Sequence, residues 1–352
     1  MSQVKALRPA LVARFSGRLW LINAVLGLAV VASTLFAVSI GAVQVSPAQV
    51  WGIVADRLVP GSVTPDWTAA QAQIVWEFRL PRALLALLVG AGLAVVGAVL
   101  QALVRNPLAD PFLLGVSSGA SLGAVLVFII GSSTLGGLSL SAAAFLGALL
   151  ALVLIYLLAQ RSGRLTPARL VLAGVALAYL FQALYSYVLQ QAQSGRAAQQ
   201  VLFWLMGSLG GARWEMLPIP TVVLLAGVAY LLVQHRPLNA LSVGEDSAIS
   251  LGVNVAFLRV RLFVLTSLLV GVLVATSGAI AFVGLIVPHA ARLLVGADHR
   301  RVLPVSALLG AVFLQLVDVA ARTVAAPQEL ALSIVTALFG VPFFLWLLRR
   351  RG

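Results

Sequence analysis

The chain alternates long apolar runs with short polar breaks. A helix needs roughly 20 apolar residues to cross a bilayer core of about 30 Å. Ten segments approach that length: 19–43, 81–103, 112–131, 138–159, 168–190, 216–234, 258–279, 282–296, 303–321 and 330–348. Segment 282–296 is short for a full span. The stretch "RAAQQVLFWLMGSLG" (196–210) is shorter still, and reads as a partial helix at the outer surface that ends in a glycine-rich turn. The longest outer loop, 44–80, carries Pro47, Pro60, Gly61 and Pro65.

One polar break has a grammar of its own. "LSVGEDSAISLG" (241–252) lies between two apolar spans and is too polar to insert. Pro237 can open a first short helix that carries Leu238, Leu241 and Val243. Gly244 interrupts it. Glu245 and Asp246 then begin a second helix, where acids favour the positive end of the helix dipole. Ala248, Ile249 and Leu251 are expected to form its apolar face, and Gly252 is a natural stop at C′. Two short helices offering apolar side chains at a membrane surface suit the groove of another protein. On these residues alone a plain surface loop is an equal alternative.

Composition agrees with the pattern. The 352 residues are 61% hydrophobic and 9% charged, with a mean hydropathy of +1.07. A water-soluble protein of this length needs far more charge. The chain is therefore an all-α polytopic membrane protein, a single transmembrane unit over 1–352. The net charge of +13 does not indicate nucleic acid, because the arginines gather at span ends. Lys5, Arg8, Arg14 and Arg18 precede the first span, which is too long for a signal-peptide core. Arg105, Arg161, Arg164, Arg169, Arg236, Arg259, Arg261, Arg292, Arg300, Arg301 and the final Arg349–Arg351 fall on the same side under a ten-span count. The positive-inside rule then puts both termini in the cytoplasm.

Several chemistries are excluded or disfavoured. There is no cysteine, hence no disulfide or thiol site. The only lysine is Lys5, so the chain lacks a P-loop. His235, His289 and His299 show no metal-ligand spacing; Met206 and Met216 suit interfacial packing better than ligation. An ion-coupled secondary transporter would hold ionisable groups inside its spans. Asp318 is the clearest candidate, but Arg322 lies one helical turn away and can pair with it. Gly90, Gly92 and Gly97 read as close-packing residues between helices.

Four blocks together resemble the FecCD family of ABC-transporter permeases: "RNPLADP" (105–111), "GEDSAISLG" (244–252), "FVGLIVPHAAR" (282–292) and "QLVDVAART" (315–323). The resemblance runs from about residue 79 onward. It implies the type II ABC importer permease fold, a homodimer in the bacterial inner membrane, two ATP-binding subunits below and a substrate-binding protein above. ATP and magnesium would reside in the partner ATPase, with no cofactor or metal in this chain. Residues 238–254 would be the coupling helices, with Leu241, Gly244, Glu245, Asp246, Ala248, Ile249, Leu251 and Gly252 at the ATPase contact. Asn106, Pro107 and Leu108 match a cytoplasmic gate. Arg79, Arg82 and Arg322 match outer arginines that meet acids of the binding protein. The expected cargo is an iron chelate, siderophore or haem, with vitamin B12 as the alternative. Two departures stand out. Ala331 and Ser333 occupy the family's proline and glycine places in "ELALS", and Val96 stands where serine is common.

Overall fold

A computed structural model describes residues 3–351 except 42, 112–114, 162–163 and 193–194; the side chains of 3–18, 161, 164, 197, 346–348, 350 and 351 are also outside the description. The expected start of the third span, and the side chains of Lys5, Arg8, Arg14, Arg18, Arg161, Arg164, Arg350 and Arg351, thus lie outside the described residues.

In chain order the helices are α1 (Gln3–Ser39), α2 (Pro47–Leu58), α3 (Ala69–Gln73), α4 (Leu80–Val104), α5 (Val116–Ile130), α6 (Leu140–Ala159), α7 (Pro167–Gln190) and α8 (Gly195–Leu205). Then follow α9 (Pro218–Val233), α10 (His235–Val243), α11 (Glu245–Ser250), α12 (Val255–Ser277), α13 (Val283–Val295), α14 (His299–Thr323) and α15 (Leu332–Arg351). The only extended pairing among the described residues is a two-residue ladder, Gln160 with Leu165 and Arg161 with Arg164. Among the described residues, seven helical stretches are long and apolar enough to cross a membrane: Leu19–Ser39, Ala69–Val104, Leu140–Ala159, Pro167–Gln190, Trp214–Val233, Val255–Ser277 and His299–Thr323. Two of the other three apolar segments form shorter helices, Val116–Ile130 and Val283–Val295, and the third opens the 20-residue α15. At 1.5 Å per residue, helices of 13 to 15 residues cover only about 20 to 23 Å.

The loop 44–80 is more ordered than its prolines suggest. Ser46 and Gln49 form a capping box that starts α2, and Thr68 and Gln71 form another that starts α3. From α3 the chain runs through a π-helical turn, Ile74–Arg79, straight into α4. The turn absorbs Pro81, which has no N–H to give to a regular helix. Trp214 pins this segment: its ring lies 5.0 Å from that of Trp76, and its Nε1 donates to the Trp76 carbonyl at 2.8 Å.

Helix α4 is the axis of the molecule. It is buried along most of its length and packs against α1, α12, α13 and α14. Lipid supplies little hydrophobic drive between helices, so close backbone approach does the work. Gly90 faces the Gly310 backbone of α14, and Gly97 faces the Gly284 backbone of α13. A second seam joins α5 to α6, with Gly119 against Gly147 and Gly123 against Ala143. A Cβ at Gly97 would overlap the Gly284 carbonyl, a backbone group with nowhere to go. Gly97→Ala should therefore destabilise by about 1–3 kcal/mol or more. Gly27→Ala has open space in α1, and should be neutral or stabilise by up to about 1 kcal/mol. Thermal midpoints of the two purified variants check the opposite signs.

Between α12 and α13 the backbone leaves the helix at Gly278 (φ +65°) and re-enters it after Phe282, which sits at φ +68°. Non-helical backbone at membrane depth persists only where protein satisfies it. Here Ser333 does much of this: its Oγ accepts from the Ala281 N–H at 3.2 Å and donates to the Ala279 carbonyl at 3.0 Å. Ser208 N–H donates to the Ser277 carbonyl at 2.8 Å. The departure from the family pattern at Ser333 thus has a structural use.

Candidate functional site

Helices α10 and α11 form an elbow next to the C-terminal end of α4 and the N-terminal end of α14. The two-helix reading of 238–254 holds, including the stop, although the first helix starts at His235, two residues before Pro237. Gly252 adopts φ +79°, its N–H donates to the Ile249 carbonyl at 2.9 Å, and Val253 N–H reaches the Ala248 carbonyl at 3.0 Å. That is a Schellman closure. Gly244 is extended, and a Cβ there would meet only Ser247 Oγ at 3.7 Å. It breaks the helix, but nothing local compels glycine.

The outward face differs from the expected one. Ala248 and Leu241 are fully buried in the chain's own core, whereas Val243, Ile249 and Leu251 are 76%, 56% and 74% exposed. Successive helical residues point about 100° apart, so Ala248 and Ile249 cannot share a narrow face. The exposed apolar trio is Val243, Ile249 and Leu251. Asp246 is exposed as well.

Two clips hold the elbow. Glu245 does not reach outward only: it takes a forked contact from the buried Arg259 of α12, at 2.8 and 3.1 Å. Arg259 also donates to the Leu165 carbonyl at 3.3 Å. The second clip is Asn239. Its Nδ2 donates to Asp298 Oδ1 at 2.7 Å, and its Oδ1 accepts from the His299 N–H at 2.8 Å. Asp298 in turn caps α14 by accepting from the Arg300 N–H at 3.0 Å. Burial works against the Asp298 charge, yet the Asn239 and Arg300 hydrogen bonds, with Arg301 and His235 nearby, hold its carboxyl below the usual range. Short polar links thus tie the elbow to α12 and α14. Asn239, Arg259 and Asp298 were not among the expected site residues. Asp298 had a readable signal, an aspartate immediately before a helical run.

The gate candidates sit at the same end. After α4, Arg105 adopts φ +55° and the chain turns. Asn106 shapes the turn, its Oδ1 accepting from the Leu108 N–H at 2.9 Å. Asn106, Pro107 and Leu108 are all exposed.

The expected docking arginines are engaged within the chain. Arg79 is 7% exposed and donates to the Val38 and Ser39 carbonyls at 3.0 Å, and to that of Val43. Arg322 donates to the Ile40 carbonyl at 2.8 Å and to that of Ala37, and pairs with Asp318 at 3.5 Å. Arg82 lies between two carboxylates, Asp318 at 2.9 Å and Glu329 at 2.9 Å. In the isolated chain the N–H groups of these guanidiniums are thus engaged by internal acceptors. Arg79 and Arg322 tie down the end of α1, and Arg82 locks α4 to α14 and to the segment before α15.

The family model of the FecCD transport family matches residues 29–350. The chain belongs to the FecCD transport family. Among the relatives of this FecCD protein are the vitamin B12 import system permease proteins BtuC of Salmonella paratyphi A and Salmonella typhimurium. Each is 44% identical over 284 residues, 80% of this chain and 86% of theirs. The fold matches a solved inward-facing chain of metal-chelate ABC transporter type, with a TM-score of 0.80 and 36% identity over 94% of this chain and 99% of that one. PsaBC from Streptococcus pneumoniae, solved with a Fab, shares the fold at a TM-score of 0.52 and 20% identity, over 76% of this chain and 89% of that one. The FecCD chain is thus a multi-pass ABC importer permease, a transport subunit rather than a catalyst.

Proposed function

We propose that this FecCD permease carries vitamin B12 or a closely related corrinoid into the cytoplasm. The carrying observation is the 44% identity to vitamin B12 permeases over 80% of the chain. That favours the corrinoid over the iron chelate expected first from the sequence. In this reading two copies form the path and two ATP-binding subunits, holding ATP and magnesium, grip the elbows of residues 238–254. A substrate-binding protein delivers cargo to the opposite face. Both termini and the elbow are cytoplasmic. Asn106, Pro107 and Leu108 narrow the inner mouth.

The absence of a P-loop supports an engine in a separate subunit. Docking of the binding protein would rest on the face carrying Arg82 and Glu329, where Glu329 keeps 39% of its side chain exposed. The test is uptake in proteoliposomes holding the permease, its ATP-binding subunit and its binding protein. Labelled cyanocobalamin should accumulate only with internal ATP, and at least about tenfold faster than a ferric siderophore or haem. Preference for either iron compound would overturn the corrinoid reading. Uptake by the permease alone under a pH gradient would overturn the ABC mechanism.

A further inference from the structure

At the elbow end, α4, α10, α13 and α14 line a cleft of about 500 Å³ whose wall includes Pro107 of the gate candidates and Ser242 of the elbow. Its polar walls are Gln101, Arg105, Ser242, His289, Arg292 and His299, and no acidic residue lines it among the described residues. Arg82 and Arg322 are matched by Asp318 and Arg259 by Glu245, and Arg79 donates to carbonyls. Half-buried Arg169 has no ion pair among the described residues, and Arg292 is in the same position. It is half-buried, and among the described residues neither it nor Arg105 has a carboxylate within ion-pair distance.

Arg292 is nonetheless held in place. Its Nη2 donates to Gln101 Oε1 at 2.6 Å. Gln101 is itself buried, with its Nε2 donating to the Gly284 carbonyl at 3.2 Å. One N–H of five is thereby engaged, which leaves the other donors of the fork for a ligand. A half-buried guanidinium with no anion is costly, and an oriented one suits the oxygens of a phosphate group. Arg105 adds a second positive charge at the exposed rim, on a turn fixed by Asn106.

We propose that this cleft binds a phosphate group, with Arg292 and Arg105 as its charged partners. The phosphate belongs either to a soluble ion or solute, or to an anionic lipid headgroup reaching in from the bilayer, as basic pockets between spans do. The assignment does not depend on which substrate is carried.

Two measurements test it. In lipid-stripped detergent solution, 50 mM inorganic phosphate should raise the melting temperature by roughly 2–4 °C over chloride of equal ionic strength. In nanodiscs of phosphatidylglycerol, native mass spectrometry should find lipid retained on ejection, and in phosphatidylcholine none. A phosphate shift without retained lipid identifies a soluble source; retained lipid identifies the headgroup. Either effect should be lost in Arg292→Gln and at least halved in Arg105→Gln, a surface change that leaves the packed helices alone. The proposal fails if the wild type shows neither effect, or if both variants respond as the wild type does. It also fails if an assembled transporter fills the cleft with an acidic side chain of the ATP-binding subunit.

Discussion

Asp318→Asn is expected to destabilise the permease by about 3–5 kcal/mol, the cost of removing one partner from a buried ion pair. Asp318 is 1% exposed, and its carboxylate lies between Arg82 at 2.9 Å and Arg322 at 3.5 Å. Four charges close the cluster: Arg82 and Arg322 against Asp318 and Glu329. Removing Asp318 leaves two guanidiniums sharing one half-exposed acid, with Arg79 close enough to Arg322 to add repulsion. The melting midpoint in detergent should fall on the order of 5–10 °C. Glu329→Gln is the internal control. That side chain is 39% exposed, so screening limits its loss to about 1 kcal/mol. A second control separates charge from packing. If the unmatched charge dominates, Asp318→Asn with Arg322→Gln should lose much less than the sum of the two single changes. A loss equal to that sum would mean the cluster is ordinary packing.

This cluster shows where sequence reasoning reaches and where it stops. Arg322 and Asp318 are four residues apart on one helix, so their pairing was legible. Arg82 is 236 residues from Asp318. Its role depends on how closely α4 crosses α14, which the Gly90 and Gly310 backbones set, and no local pattern encodes that crossing. The elbow divides in the same way. Helix, break, helix and the Gly252 stop follow from local chemistry. Which side chains turn inward follows from packing, and so Ala248 was misplaced and Val243 passed over. In the loop 44–80 the order is legible: Ser46 with Gln49 and Thr68 with Gln71 have the spacing of a capping box. The π turn before Arg79 and the unwound 278–282 stretch had no such signal, since an apolar run looks alike whether wound or unwound.

The elbow also sets the other large expected effect. Val243, Ile249 and Leu251 present three exposed apolar side chains on a short rigid element, and a partner that covers them gains about 1.5–3 kcal/mol for each one fully buried. Ile249→Ala with Leu251→Ala should therefore weaken ATPase attachment by at least about 3 kcal/mol, a factor above 100 in affinity. The fold should survive, because neither side chain belongs to the core that holds Leu238, Leu241 and Ala248. In proteoliposomes with a fixed amount of ATP-binding subunit, transport should drop at least tenfold while the melting midpoint of the isolated permease stays within about 1 °C. Arg259→Gln should separate attachment from transmission. It cuts the Glu245 clip to α12 without altering the exposed trio. The ATPase should still bind, and hydrolysis should continue with little transport. If the double alanine variant instead transports normally at limiting ATPase, the elbow is not the handle, and the force must enter the membrane helices elsewhere.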